Sequence, residues 1–63
     1  MKQNELKAII VKNGLTQQEV AHKLGITPKT FYKKMKVGVF GTDEVRKMID
    51  LLQIENPAYI FLS

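Results

Sequence analysis

Sixty-three residues with a formal net charge of +4, 44% hydrophobic residues and no cysteine make one small domain with room for one modest core. A disulfide framework and a thiolate metal site are both excluded, the lone His22 has no partners for zinc, and no Ser/His/Asp set, glycine-rich phosphate loop or close carboxylate pair is present. No enzyme activity, cofactor, metal or small-molecule substrate is therefore expected; the longest apolar run, Ala58 to Leu62, falls far short of the roughly 20 residues of a bilayer span, and with no cleavable signal in view a cytoplasmic protein without membrane contact is expected.

In chain order, Leu6, Ile9 and Ile10 at i, i+3, i+4 predict a first helix over about 3–12, ended by Asn13-Gly14. Leu15 turns the chain back toward the core. Thr16-Gln17-Gln18-Glu19 has the pattern of a capping box, in which the Thr16 hydroxyl accepts from the Glu19 amide and the Glu19 carboxylate accepts from the Thr16 amide. A second helix therefore starts at Gln17, faces Val20, Ala21 and Leu24 inward, and stops at Gly25. Ile26 anchors the turn. Thr27 caps a third helix and Pro28 takes its first position, where the missing N–H costs nothing, and the helix runs to about Lys36.

Residues 37–41 form a loop with two glycines from which Phe40 returns to the core. Thr42 is expected to cap a fourth helix, with Asp43 and Glu44 at its positive end and Val45, Met48, Ile49 and Leu52 as its apolar stripe. Asn56-Pro57 reads as the cap and first turn of a short last helix through Leu62. The expected fold class is all-α, a compact five-helix domain over residues 1–63 with a helix-turn-helix at about 17–36.

Charge is unevenly placed along this scheme. Residues 1–36 hold eight lysines against Glu5 and Glu19, a balance of +6, whereas residues 37–63 hold Arg46 and Lys47 against Asp43, Glu44, Asp50 and Glu55, a balance of −2. On the third helix, successive residues rotate by about 100°, so Phe31 and Met35 share the core face and Lys29, Lys33 and Lys36 fall opposite, flanked by Thr30 and Tyr32. Lys34 sits closer to the core boundary. Lys29 and Lys33 are a like-charge i, i+4 pair that costs an isolated helix roughly 0.2–0.5 kcal/mol, a cost that a phosphate-lined groove would offset. Such a face fits a polyanion. Two roles are open to Tyr32, surface packing or a phosphate hydrogen bond, and the loop amides around Val39 are placed to meet a DNA backbone.

The run Leu15-Thr16-Gln17-Gln18-Glu19-Val20-Ala21-His22-Lys23-Leu24-Gly25-Ile26-Thr27, followed by Phe31, resembles the Cro/C1-type helix-turn-helix family of phage-repressor regulators. Residues 50–57 and Ile60-Phe61-Leu62 are also similar to small phage or prophage regulators. The resemblance implies a lambda-repressor-like fold and a sequence-specific transcriptional regulator, a repressor of bacterial or phage type, reading the major groove of double-stranded DNA with its third helix. It puts Gln17 on a phosphate and makes Pro28, Lys29, Thr30 and Lys33 the residues at base edges. Pro28 departs from the polar residues common there and offers only van der Waals contact; the Lys34 position is more often apolar in that family, and here its methylene stem would lie along the core with the ammonium outside. His22 is expected on the solvated surface of the second helix. Gln18, Tyr32, Lys36 and Val39 complete the expected backbone contacts.

A palindromic operator bound by a homodimer is the expected partner arrangement, because one such domain makes few phosphate contacts. Tyr59, Phe61 and Leu62 are candidates for the dimer interface, while the same run, with Ile60, could equally complete the monomer core. The competing function is an antirepressor, a protein-interaction module that keeps the fold and binds a repressor protein.

Overall fold

In the computed structural model, which describes Met1–Ser63, the chain forms five α-helices and no strand: α1 (Gln3–Lys12), α2 (Gln17–Leu24), α3 (Pro28–Val37), α4 (Thr42–Leu52) and α5 (Pro57–Phe61). All eleven buried residues are apolar, and every helix contributes: Leu6 and Ile10, then Val20, Ala21 and Leu24, Phe31 and Met35, Met48 and Leu52, and Ile60. Ile54, between α4 and α5, is the remaining member. Ile9, Leu15, Ile26, Phe40, Ile49 and Phe61 pack around this cluster half-buried.

The start of α2 follows the capping box atom for atom. The Glu19 amide donates to Thr16 Oγ1 at 3.1 Å and the Thr16 amide donates to Glu19 Oε1 at 2.9 Å. This satisfies two of the amides that a helix start leaves without partners. Thr16→Ala should cost about 1 kcal/mol, read as a lowered urea midpoint with unchanged slope; an unchanged midpoint would remove the cap from the account.

At the other end of α2, Gly25 lies in the left-handed region at φ +77°, and the Ile26 amide donates to the Ala21 carbonyl at 3.1 Å. A side chain at that φ is strained, so glycine is what permits the sharp turn into α3. Thr27 then caps α3 by accepting from the Thr30 amide at 3.2 Å, with Pro28 as the first helical residue. α2 packs chiefly on α3, and α1 and α4 brace α2 from either side.

Three boundaries differ from the sequence expectation. Helix α3 runs one residue further, through Val37, because Gly38 takes the left-handed C-terminal position at φ +84°. The cap of α4 is Gly41 rather than Thr42: the Gly41 amide donates to Glu44 Oε1 at 2.7 Å, and Thr42 is the first helical residue. Helix α5 ends at Phe61, and the Asn56 side chain makes no capping hydrogen bond.

Long-range polar ties close the ends of the bundle. The Asn13 side-chain amide donates both to the Ile9 carbonyl at 2.8 Å and to the Leu52 carbonyl at 3.2 Å, joining the ends of α1 and α4. Gln53 turns the chain in the left-handed region at φ +53°, and the Ile54 amide donates back to the Ile49 carbonyl. That turn drops Ile54 into the core. The Lys2 amide donates to the Ile60 carbonyl at 2.8 Å, which ties the start of α1 to α5.

Candidate nucleic-acid interface

The α2–turn–α3 unit presents one continuous outward surface. Phe31 and Met35 point into the core, and Phe31 stacks at a tilt on Phe40 with ring centroids 5.3 Å apart. Because these two positions fix the rotation of α3, Lys29, Thr30, Tyr32, Lys33 and Lys36 all lie exposed on its other side. The expected base-contacting residues thus come together on one face, except Pro28, which is half-buried at the helix start.

The chemistry of that face is cationic with one oriented hydroxyl. Thr27 and Thr30 share a hydrogen bond between their hydroxyls at 2.9 Å, which uses one of their two hydroxyl protons and leaves the other free for an outside acceptor. The ammonium groups of Lys29, Lys33 and Lys36 have no ion-pair partner within the chain. Tyr32 stands half-exposed with its ring edge-on to Phe31 at 6.5 Å, so packing holds the ring while part of it remains open to solvent. At the start of α2, Gln17 is half-buried and Gln18 exposed, and His22 is exposed further along the same helix.

Lys34 is the exception among the lysines of α3. Its ammonium donates to Glu44 Oε2 at 2.6 Å, the one ion pair between side chains, while Glu44 Oε1 accepts from Gly41. Lys34 is half-buried, and its ammonium is engaged rather than free. Burial pushes the Glu44 carboxyl upward; the hydrogen bonds from Lys34 and Gly41 and the charges of Lys34 and Lys47 outweigh it, so the group ends below its ordinary value of 4.5. A depressed carboxyl pKa adds stability that is fully present above the unfolded value and is lost as the pH falls through the folded one. Thermal stability should therefore drop on acidification below about pH 4.5 in wild type and less steeply in Glu44→Gln. Parallel pH profiles for the two would contradict this.

The loop after α3 redistributes the expected backbone donors. The amides of Gly38 and Val39 both donate to the Lys34 carbonyl, at 2.8 and 3.2 Å, and that of Gly41 donates to Glu44. The Phe40 amide is the one in this loop without a partner, while the amide of Val39, the expected backbone contact, is engaged within the chain. Gly38 also allows a close approach: a Cβ there would stand 2.8 Å from Gln3 Nε2, so the start of α1 rests on the end of α3.

Among the interface candidates at the end of the chain, Ile60 is buried, Phe61 is half-buried against the core and Leu62 is 84% exposed. The Lys2 ammonium lies 5.3 Å from the centroid of the Tyr59 ring and covers one of its faces. Phe61 and Leu62 border an uncharged groove of about 590 Å³ between the α3–α4 loop and α5, which Val39, Phe40 and Val45 also line. No helix is long and apolar enough to cross a membrane, and no group of three or more His, Cys, Asp or Glu residues comes together.

Sequence comparison adds one positive result. Residues 3–37, which span α1, α2 and α3, match the family described as bacterial regulatory protein, Fis family. No curated protein and no solved structure matches the chain.

Proposed function

The chain belongs to the Fis family of bacterial regulatory proteins, and as a helix-turn-helix DNA-binding regulator of that family we propose that it binds double-stranded DNA sequence-specifically, with α3 in the major groove. The observation that carries this reading is the face of α3. Lys29, Lys33 and Lys36 stand exposed, without ion-pair partners and opposite Phe31 and Met35, in an arrangement that does nothing for the fold.

Lys29 and Lys33 reach guanine O6 and N7, Thr30 offers its free hydroxyl proton to a base or its methyl to a thymine, and Pro28 makes apolar contact. Gln17, Gln18, Tyr32, Lys36 and the loop amide at Phe40, beside Val39, hold the sugar-phosphate strand and set register. The family match ends at Val37. Residues 15–27 with Phe31 carry the resemblance to Cro/C1-type regulators, and residues 50–57 with Ile60-Phe61-Leu62 the likeness to small phage or prophage regulators; on that ground the protein acts as a repressor in the cytoplasm of a bacterium or of a phage-infected cell, with residues 1–63 as a single binding unit.

The test is fluorescence anisotropy with duplex DNA from around the protein's own gene and a shuffled control, titrated across salt. A strong preference for the genomic duplex, falling steeply with salt, is expected. Equal weak binding to both duplexes would overturn the sequence-specific reading and favour a protein partner.

The operator is palindromic and the protein binds it as a homodimer, with Phe61 and Leu62 at the interface and Tyr59 at its edge. Support comes from the uncharged groove beside α5 and from the exposure of Leu62, whose loss does not open the core. Sedimentation should show a wild-type dimer and a Leu62→Ser monomer with unchanged helix content. A monomeric wild type at the concentrations of operator binding would sink the dimer.

A further inference from the structure

We propose that Glu44 is a positioning residue for DNA binding, holding Lys34 away from the phosphate backbone so that Lys29, Lys33 and Lys36 alone form the cationic face of α3. This rests on α3 being the helix that meets DNA.

Lys34 is rotated by about 100° from Lys33 and by about 160° from Lys36, away from the outer face and toward α4. A lysine stem is long and flexible, and from that position an unpaired ammonium would swing to the same strand that Lys33 and Lys36 approach. Glu44 prevents this. Its two carboxylate oxygens are separately committed, Oε2 to the Lys34 ammonium at 2.6 Å and Oε1 to the Gly41 amide at 2.7 Å. With the Glu44 side chain only 14% exposed, salt screens this pair less than an open surface pair. One acid at the first turn of α4 thus reaches back to α3 and to the loop between them. That loop includes the unpartnered Phe40 amide. A contact from Lys34 to phosphate would add affinity for every sequence alike and no information about any.

The experiment measures the salt dependence of binding to a short scrambled duplex for wild type, Glu44→Gln, Lys34→Met, the double variant and Glu55→Gln. Glu55 is an exposed acid between α4 and α5, and its substitution changes net charge equally without touching Lys34. Glutamine at 44 can still accept from Gly41, which keeps the start of α4. Glu44→Gln should steepen the slope of log K against log salt by about 0.9, one additional phosphate neutralised, while Glu55→Gln follows wild type. Lys34→Met should leave the wild-type slope unchanged, and adding it to Glu44→Gln should restore that slope.

A Glu44→Gln slope equal to that of Glu55→Gln overturns the proposal, as does a loss of about 0.9 in Lys34→Met alone, which would place Lys34 on phosphate already. Should Glu44→Gln fail to fold, Lys34→Met decides by itself. A wild type that shows no salt-dependent binding overturns the DNA reading and this proposal with it, whereas a normal wild-type slope with no response at Glu44 overturns the proposal alone.

Discussion

Phe31→Ala should remove about 3–5 kcal/mol of the domain's stability, from about a third to all of it. Phe31 has no exposed surface and packs its ring against Phe40, so truncation removes the largest buried side chain and opens a cavity between α3 and its neighbours. Phe-to-Ala changes at such sites cost about 3–5 kcal/mol. At the usual stability per residue, a chain of 63 residues has roughly 3–9 kcal/mol in total. Circular dichroism and urea unfolding would read the loss directly. Tyr32→Ala, at the adjacent half-exposed position, should move the midpoint far less, by about 1 kcal/mol or under. A cooperative Phe31→Ala transition close to wild type would mean that the cavity collapses and that Phe31 does not set the rotation of α3.

The second large effect is on binding. Lys29→Ala should weaken the cognate complex by about 1–3 kcal/mol, roughly 5- to 150-fold, and relax discrimination at one base pair. Lys36→Ala should weaken cognate and shuffled duplexes alike and lower the salt slope by about 1. The contrast follows from position on one helix: Lys29 is the second residue of α3, and Lys36 lies two turns later, next to the loop proposed to hold the strand. Since both side chains are exposed and unpaired, neither substitution should change the melting temperature by more than a degree or two, which separates a lost contact from a lost fold. Equal losses on every duplex for both variants would remove Lys29 from the base-reading set.

The contrast between Lys36 and Lys34 marks how far sequence reading reached into the candidate site. Lys36 lies on the outer face by helical rotation from Phe31, a relation internal to ten consecutive residues. The partner of Lys34 lies ten residues away on another helix, and only the packing of α4 against the helix-turn-helix brings Glu44 within 2.6 Å. Acid at the start of α4 was legible as helix-dipole chemistry, yet the choice of Gly41 over Thr42 as the cap depends on where that carboxylate settles. The partner of the Val39 amide was illegible in the sequence for a related reason. A left-handed Gly38 folds it back onto the Lys34 carbonyl and leaves Phe40 with the open donor.

By itself the sequence determined the five helices, the capping box at Thr16, the turn at Gly25, the Thr27-Pro28 start of α3 and the separation of its apolar and basic faces. These follow from local rules, because a cap, a left-handed glycine and a 3.6-residue period each act within a few residues along the chain. Tertiary structure alone decided that Asn13 ties α1 to α4, that Ile54 enters the core, that Lys34 is held by Glu44 and that the start of α1 rests on Gly38. Each of these pairs residues from separate elements, or depends on how one element seats on another. Their geometry exists only once the shared core has set the helices against one another.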